Sequence, residues 1–280
     1  MVNNYEHGVK KNKLFVLAGP CSAESEKQLL STASVLKSLK KVNVFRAGIW
    51  KVRTKSDAFQ GVGEQGLVWL KNIQQELNFP VATEVITPLH VELCLKHNVN
   101  IMWVGTRTTV NSYLINEIAH ALKNVDNILL LIKNPINPDL SLWSGIIDRF
   151  LSCGIGNIIA VHRGFSVYNY KIYRNNPIWD IPIQLKKRYP YIPIICDPSH
   201  ITGKAEKVLK ISTKAIKLGF SGLMIESHIN PTEALSDSYQ QVTPLQLKEI
   251  LRLISKYLLP YERSNILLPN FTRPALVAQD

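Results

Sequence analysis

The chain is poor in cysteine: 280 residues hold four, at positions 21, 94, 153 and 196. No two form a CxxC pair, so no disulfide framework is expected, and a reduced, cytoplasmic protein is the default. No apolar run approaches the ~20 residues a membrane helix needs. The stretch from Met1 to Lys13 is polar and lacks the apolar core of a signal peptide, so no membrane partner is expected. Acidic residues are scarce, 21 against 33 Lys and Arg, giving a net charge of +12. Such a balance raises the question of nucleic acid. The basic runs are short, however (Lys10-Lys11, Lys40-Lys41, Lys186-Lys187-Arg188), and no aromatic residues interleave with them. A solvated surface and anionic small molecules explain the excess better, and no nucleic-acid partner is expected. Internal repeats and low-complexity tracts are also missing.

What is present is an alternation of short apolar runs with longer amphipathic segments. Strands are expected at Leu14–Ala18, Val42–Ala47, Pro80–Thr83, Ile101–Val104, Ile128–Ile132, Asn157–Val161, Ile192–Cys196 and Gly222–Ile225. They are apolar at consecutive positions, as parallel strands buried on both faces are. Eight such runs separated by helices imply an α/β fold, either a barrel or a doubly wound sheet. Ser25-Glu26-Lys27-Gln28 and Thr243-Pro244-Leu245-Gln246 read as capping boxes, and Thr87-Pro88 as a capped helix start. Leu245, Ile250, Leu251 and Ile254 are expected to form the apolar face of a last helix. The domain is expected to span 1–258, including its short polar N-terminal extension. Residues 259–280 have no clear period and are expected to form an irregular tail.

Four segments carry side chains that bind divalent metals. Cys21 follows the first strand, His200 the seventh and Glu226 the eighth; Asp237 lies just downstream. Taken singly, each has an ordinary explanation: a small buried thiol, a loop histidine, an ion-paired carboxylate, a helix cap. Together they make a Cys/His/Glu/Asp set gathered at strand ends, where (β/α)8 barrels collect catalytic groups. That donor set suits Mn, Fe, Co or Zn. Cations also end several strands: Arg46 with Lys51 and Arg53, then Arg107, Lys133 and Arg163. One basic residue at a strand end marks the solvent boundary. A ring of them suits phosphate and carboxylate ligands. Cys94, Cys153, Cys196, His90, His120 and His162 lack such placement and read as structural or surface residues, while His228 stays open.

These residues stand in a recognisable order. Gly-Pro-Cys-Ser, Lys-x-Arg-Thr, Gly-x-Arg-Thr, Lys-Asn, His-Arg-Gly, Asp-Pro-Ser-His, Glu-Ser-His and Leu-Ser-Asp follow one another from Gly19 to Asp237. The chain resembles the 3-deoxy-D-arabino-heptulosonate 7-phosphate (DAHP) synthases, in the compact type I-beta form related to the octulosonate phosphate synthases. The resemblance implies a single (β/α)8 TIM barrel. It implies condensation of phosphoenolpyruvate with erythrose 4-phosphate, the first step of the shikimate pathway to aromatic amino acids. Cys21, His200, Glu226 and Asp237 would hold the metal. Arg46, Lys51, Arg107, Lys133 and Arg163 would bind phosphoenolpyruvate, and Arg53 and Thr54 the erythrose phosphate. Lys51 would serve in proton transfer.

Two positions depart from the pattern: Val52 replaces a proline and Thr106 an alanine. The first removes a fixed φ from the loop that carries Arg53. A weakened barrel acting as a regulatory subunit is therefore an alternative, although the full ligand set speaks against it. The other alternative is a 3-deoxy-D-manno-octulosonate 8-phosphate synthase using arabinose 5-phosphate. That group carries Lys-Ala-Asn-Arg-Ser where this chain has Lys51-Val52-Arg53-Thr54. A homo-oligomer is expected from the resemblance. No extra N-terminal domain is expected, and the tail is too short for the chorismate mutase domain fused to some relatives. Feedback control is therefore expected to need a separate chorismate mutase partner.

Overall fold

Consecutive apolar residues along a strand serve two surfaces at once, because successive side chains point to opposite faces. In the computed structural model, Phe15 and Leu17 enter one buried cluster with Trp103, Leu129 and Leu131. Their neighbours Val16 and Ala18 join a second, larger cluster with helix residues such as Leu29, Leu36 and Trp143. The first cluster fills a closed barrel in which β1 to β8 pair in sequence order. Every pairing between neighbouring strands is parallel. The pattern of eight strands and intervening helices thus resolves as the barrel and not the doubly wound sheet. Residues 14–51, 57–258, 266, 268 and 269 are described.

The chain runs β1 (Phe15–Gly19), α1 (Glu26–Ser38), β2 (Val44–Arg46), α2 (Gln65–Glu76), β3 (Val81–Val85) and α3 (Pro88–Lys96). It continues through β4 (Ile101–Val104), α4 (Ser112–Ala121), β5 (Leu129–Lys133), α5 (Leu140–Ser152), β6 (Ile158–His162) and α6 (Asp180–Arg188). It ends with β7 (Ile194–Cys196), α7 (Pro198–Thr202), α8 (Val208–Lys217), β8 (Gly222–Glu226) and α9 (Pro244–Ile254). Each expected strand lies within about two residues of an observed one. The short α7 sits in the connection after β7 and carries His200.

The helix starts follow the expected caps with one difference. Thr243 and Gln246 form both bonds of a capping box, at 3.2 and 2.8 Å. Ser25 Oγ accepts from Gln28 N at 3.1 Å, but the Gln28 side chain accepts from Glu24 N instead of closing the box on Ser25. The apolar face of α9 needs one correction. Ile250, Leu251 and Ile254 are buried with Leu247, whereas Leu245 is 75% exposed. It stands two residues before Leu247, about 200° around the helix, and so on the opposite face.

Leu259 to Asp280 lies mostly outside the described residues. Ile266, however, is buried within the barrel-interior cluster, and Leu268 packs against it. The tail therefore contributes core, which its sequence did not announce. Among the described residues no helix is long and apolar enough to cross a membrane. Ile266→Ala is expected to cost about 2–5 kcal/mol, as for other buried aliphatic truncations. A urea midpoint equal to that of the parent chain would show that this seat contributes nothing.

Candidate active site

Side-chain alternation continues past the apolar layers into a charged one. β2 ends Val44-Phe45-Arg46, and Val44 faces the barrel interior, so Arg46 does too. By the same count Glu84, Lys133, Arg163, Asp197 and Glu226 follow Ala82, Leu131, Val161, Ile195 and Met224 on the inward side. The Arg46 guanidinium meets the Glu226 carboxylate at 2.9 Å, with side chains only 2% and 1% exposed. Lys133 Nζ donates to Asp197 Oδ2 at 2.9 Å. Trp103 supports both cations, with Arg46 4.6 Å and Lys133 5.8 Å from its ring. Glu84 fits beside it because Gly105 has no side chain: a Cβ there would stand 1.9 Å from Glu84 Oε1.

Of the four expected metal ligands, three converge. Donor atoms of Cys21, Glu226 and Asp237 lie within 4.8 Å of one another. Cys21 Sγ donates to Asp237 Oδ2 at 3.2 Å. His200 stands at the edge of this group, its Nε2 3.6 Å from Glu226 Oε1. Its other ring nitrogen, Nδ1, is 2.8 Å from Asp197 Oδ2, at ion-pair distance. A carboxylate behind the ring in this way leaves Nε2 facing the group. Asp197 also caps α7 by accepting from His200 N.

The site's electrostatics follow from burial. Burial, reinforced by Glu226, pushes the Cys21 thiol up to about 12, against the pull of Lys51. Burial would also raise Glu226, but His200 and Arg46 outweigh it and hold the carboxyl below its usual range. For Asp237, Arg174 and His200 overcome burial and keep it ionised. Burial lowers His200, against the pull of Asp197 and Glu226. Two carboxylates, an imidazole and a thiol make a donor set that fits a divalent cation.

The expected anion-binding residues divide. Arg46 and Lys133 are buried and already ion-paired. Arg163 is 8% exposed and has no salt-bridge partner among the described residues; burial brings it down to about 10, still protonated at neutral pH. Arg107 is exposed on the turn after β4. Lys51 Nζ donates to the Cys21 carbonyl at 2.9 Å and to its sulfur at 3.1 Å. Val52, Arg53 and Thr54 lie outside the described residues. Thr106 uses its hydroxyl to bond the Asn134 carbonyl at the end of β5, so its side chain is accommodated.

Two of the histidines expected to be structural or surface residues pack against aromatic rings. His162 points outward, fully buried among Trp143, Phe165, Trp179 and Phe220, and burial takes it down to about 3. His90 stacks on Trp50 at 3.7 Å. His228, left open above, accepts from Asn230 N and lies outside the ligand group. Sequence reading missed Glu84 and Arg174. Alternation from Ala82 would have found the first; Arg174 lies in an irregular connection with no such signal.

Comparison with known proteins gives a consistent result. The profile of the DAHP synthetase I family matches residues 4–258. A phospho-2-dehydro-3-deoxyheptonate aldolase of Thermotoga maritima is 30% identical, over 86% of this chain and 69% of that protein. A 2-dehydro-3-deoxyphosphooctonate aldolase of Protochlamydia amoebophila is 31% identical, over 88% of this chain and 94% of that protein. The crystal structure of the Thermotoga maritima DAHP synthase superposes with a TM-score of 0.78 at 28% identity, covering 88% of this chain and 69% of that one. A truncated form of the 3-deoxy-D-arabino-heptulosonate 7-phosphate synthase from the same organism superposes at 0.77 and 25% identity, covering 91% and 90%.

Asp197→Asn keeps the oxygen that caps α7 but removes the charge facing Lys133. It is expected to cost about 3–5 kcal/mol at neutral pH, the usual result of stranding a buried charge. Although burial alone would raise it, His200 and Lys133 hold Asp197 well below its ordinary value. Its stabilisation is therefore full above the unfolded value of about 3.9 and is lost as pH falls toward the folded one. The gap between the urea midpoints of parent and variant should narrow below about pH 4; a constant gap down to the lowest pH at which both fold would contradict this account.

Proposed function

The chain belongs to the DAHP synthetase I family, and from that premise we propose that it condenses phosphoenolpyruvate with erythrose 4-phosphate and water to give DAHP and phosphate. The observation that carries this reading is the convergence of Cys21, Glu226 and Asp237, with His200 beside them, next to a ring of buried cations. Cys21, His200, Glu226 and Asp237 would hold a Mn, Fe, Co or Zn ion. Bound there, the ion supplies Lewis-acid polarisation of the aldehyde.

The chain's own residues do the rest. Arg163, buried and without an ion-pair partner among the described residues, supplies a fixed positive charge for a phosphate or carboxylate of phosphoenolpyruvate. Lys133 and Arg46 extend the positive field across the floor, held by Asp197 and Glu226 so that they need not reorganise during the reaction. Arg107 would reach the same substrate from the rim, and Arg53 and Thr54 would take the phosphate of the aldose. C3 of phosphoenolpyruvate attacks the aldehyde carbon and positive character develops at C2. Water adds at C2, and phosphate departs with its bridging oxygen. Lys51, 3.1 Å from the Cys21 sulfur, can hold a proton beside the reacting aldehyde. Bringing two anionic substrates together against their repulsion is mainly a task of positioning.

A second reading is favoured by the Protochlamydia amoebophila relative, a 2-dehydro-3-deoxyphosphooctonate aldolase matched over 94% of its length. In that case the aldose is arabinose 5-phosphate. Phosphate release from phosphoenolpyruvate by manganese-loaded protein, with each aldose in turn and with EDTA, separates the two. EDTA-sensitive release with erythrose 4-phosphate alone is expected. Release only with arabinose 5-phosphate would move the chain to the octulosonate branch; none with either, in folded and loaded protein, would favour a non-catalytic subunit. Cys21→Ala is expected to abolish turnover, and intact turnover would refute the ligand assignment. Arg163→Ala should lower kcat/KM for phosphoenolpyruvate about 10- to 100-fold, the scale of one charged hydrogen bond; an unchanged value would remove Arg163 from the substrate site.

A further inference from the structure

Arg174 lies in the connection between β6 and α6, in none of the motifs that identify the site. Its Nη1 donates to Asp237 Oδ1 at 2.7 Å and to Gln240 Oε1 at 2.7 Å. The other Asp237 oxygen, Oδ2, faces Cys21 Sγ. The amide of Gln240 passes the contact on: its Nε2 donates to Glu226 Oε2 at 2.6 Å. With its Oε1 held by a cation, this amide has only its NH2 to offer Glu226. One guanidinium nitrogen thus orients two carboxylates of the ligand group, one directly and one through Gln240.

The next residue reaches the fourth candidate ligand. Asn175 Nδ2 donates to the His200 carbonyl at 2.7 Å, and Asn175 N to the Ile201 carbonyl at 3.0 Å. Arg174 N points at the Thr202 carbonyl, 3.4 Å away. This bracket lies close against α7 only because Gly203 ends that helix. A Cβ at Gly203 would stand 2.7 Å from Arg174 Cβ, and its φ of +65° is one glycine adopts freely. The backbone is strained on both sides of the contact: Asp237 has φ +50° and Ile178 φ +30°. Non-glycine residues stay in this region where surrounding contacts over-determine them.

We propose that Arg174 is the positioning residue of the ligand group, fixing Asp237 directly, Glu226 through Gln240, and the His200 main chain through Asn175. This inference rests on the metal-site reading above. The Nη1 contacts to Asp237 and Gln240 assign Arg174 to the ligand group. Its charge also offsets part of the excess that a thiolate and two carboxylates would bring to one dication.

The test is an anaerobic titration of the metal-free full chain with Co(II) alone, read by the thiolate-to-cobalt charge-transfer band and the d–d bands. The parent chain should show a charge-transfer band that Cys21→Ser abolishes. Arg174→Gln should bind Co(II) about 10- to 100-fold more weakly, with shifted d–d bands, as when partners of a ligand are lost; the far-UV circular dichroism of its metal-free form should be unchanged. Arg174→Lys should recover part of the affinity, because a point charge can hold Asp237 but does not reproduce the planar fork. Gln240→Leu, which cuts only the link to Glu226, should also weaken binding and carries the test if Arg174→Gln does not fold. Parental affinity and spectrum in Arg174→Gln, or in Gln240→Leu where that variant decides, would overturn the role of Arg174 while leaving the metal site standing. A parent chain with no Cys21-dependent band would overturn the metal reading, and this inference with it.

Discussion

The ion pair between Arg46 and Glu226, 2.9 Å apart and almost fully out of water, is the constraint on which the rest of the site depends. A buried charge without a partner is costly, so each charge in the upper layer must be placed against another. Glu226 is shared by Arg46, Gln240 and, at a longer distance, His200. His200 is backed by Asp197, and Asp197 is held by Lys133. The result is one continuous network that joins β8, β2, β7 and β5 above Trp103. Arg163 is the buried arginine that this network leaves without an ion-pair partner among the described residues.

Barrel closure is what makes such a network affordable to build. In a closed parallel barrel the strands deliver their last inward side chains to one common end, where the connecting loops begin. The apolar layers beneath, from Phe15 and Leu17 to Trp103 and Leu131, exclude water from below, and Ile266 returns to that interior from the far end of the chain. The charges above are then screened by one another more than by solvent. Each hydrogen bond between them gains strength accordingly.

Charge also links the ligand group to protons. A thiol held near 12 keeps its proton until a cation replaces it, so binding of a dication at Cys21 would release a proton beside Lys51. Asp237 and Glu226 contribute their charges in advance because Arg174, Arg46 and His200 hold them ionised. The group is therefore organised by its neighbours, and those neighbours come from the β6–α6 and β8–α9 connections as much as from the strands.

Much of this was legible in one dimension. Two-sided burial writes itself as consecutive apolar residues, and so the eight strands could be counted; the metal-type donors and the ring of cations stood out because they followed those strands. Fold class, Cys21, Glu226, Arg46, Lys133 and Arg163 were accessible on that basis. The choice of a barrel over an open sheet needed either the family resemblance or the pairing of β1 with β8, a contact between chain ends that no local pattern encodes. Glu84 was readable in principle from alternation. Arg174, Gln240 and Ile266 were not. Their roles depend on long-range contacts made by irregular segments, where neither the 2-residue nor the 3.6-residue period operates. The sequence by itself determined which chemistry could be assembled, because residue type and strand order are local properties. Which cation meets which carboxylate, and which buried arginine is left without one, only the closed tertiary structure decided, because a buried charge takes as partner whatever the folding of distant segments brings within about 3 Å of it.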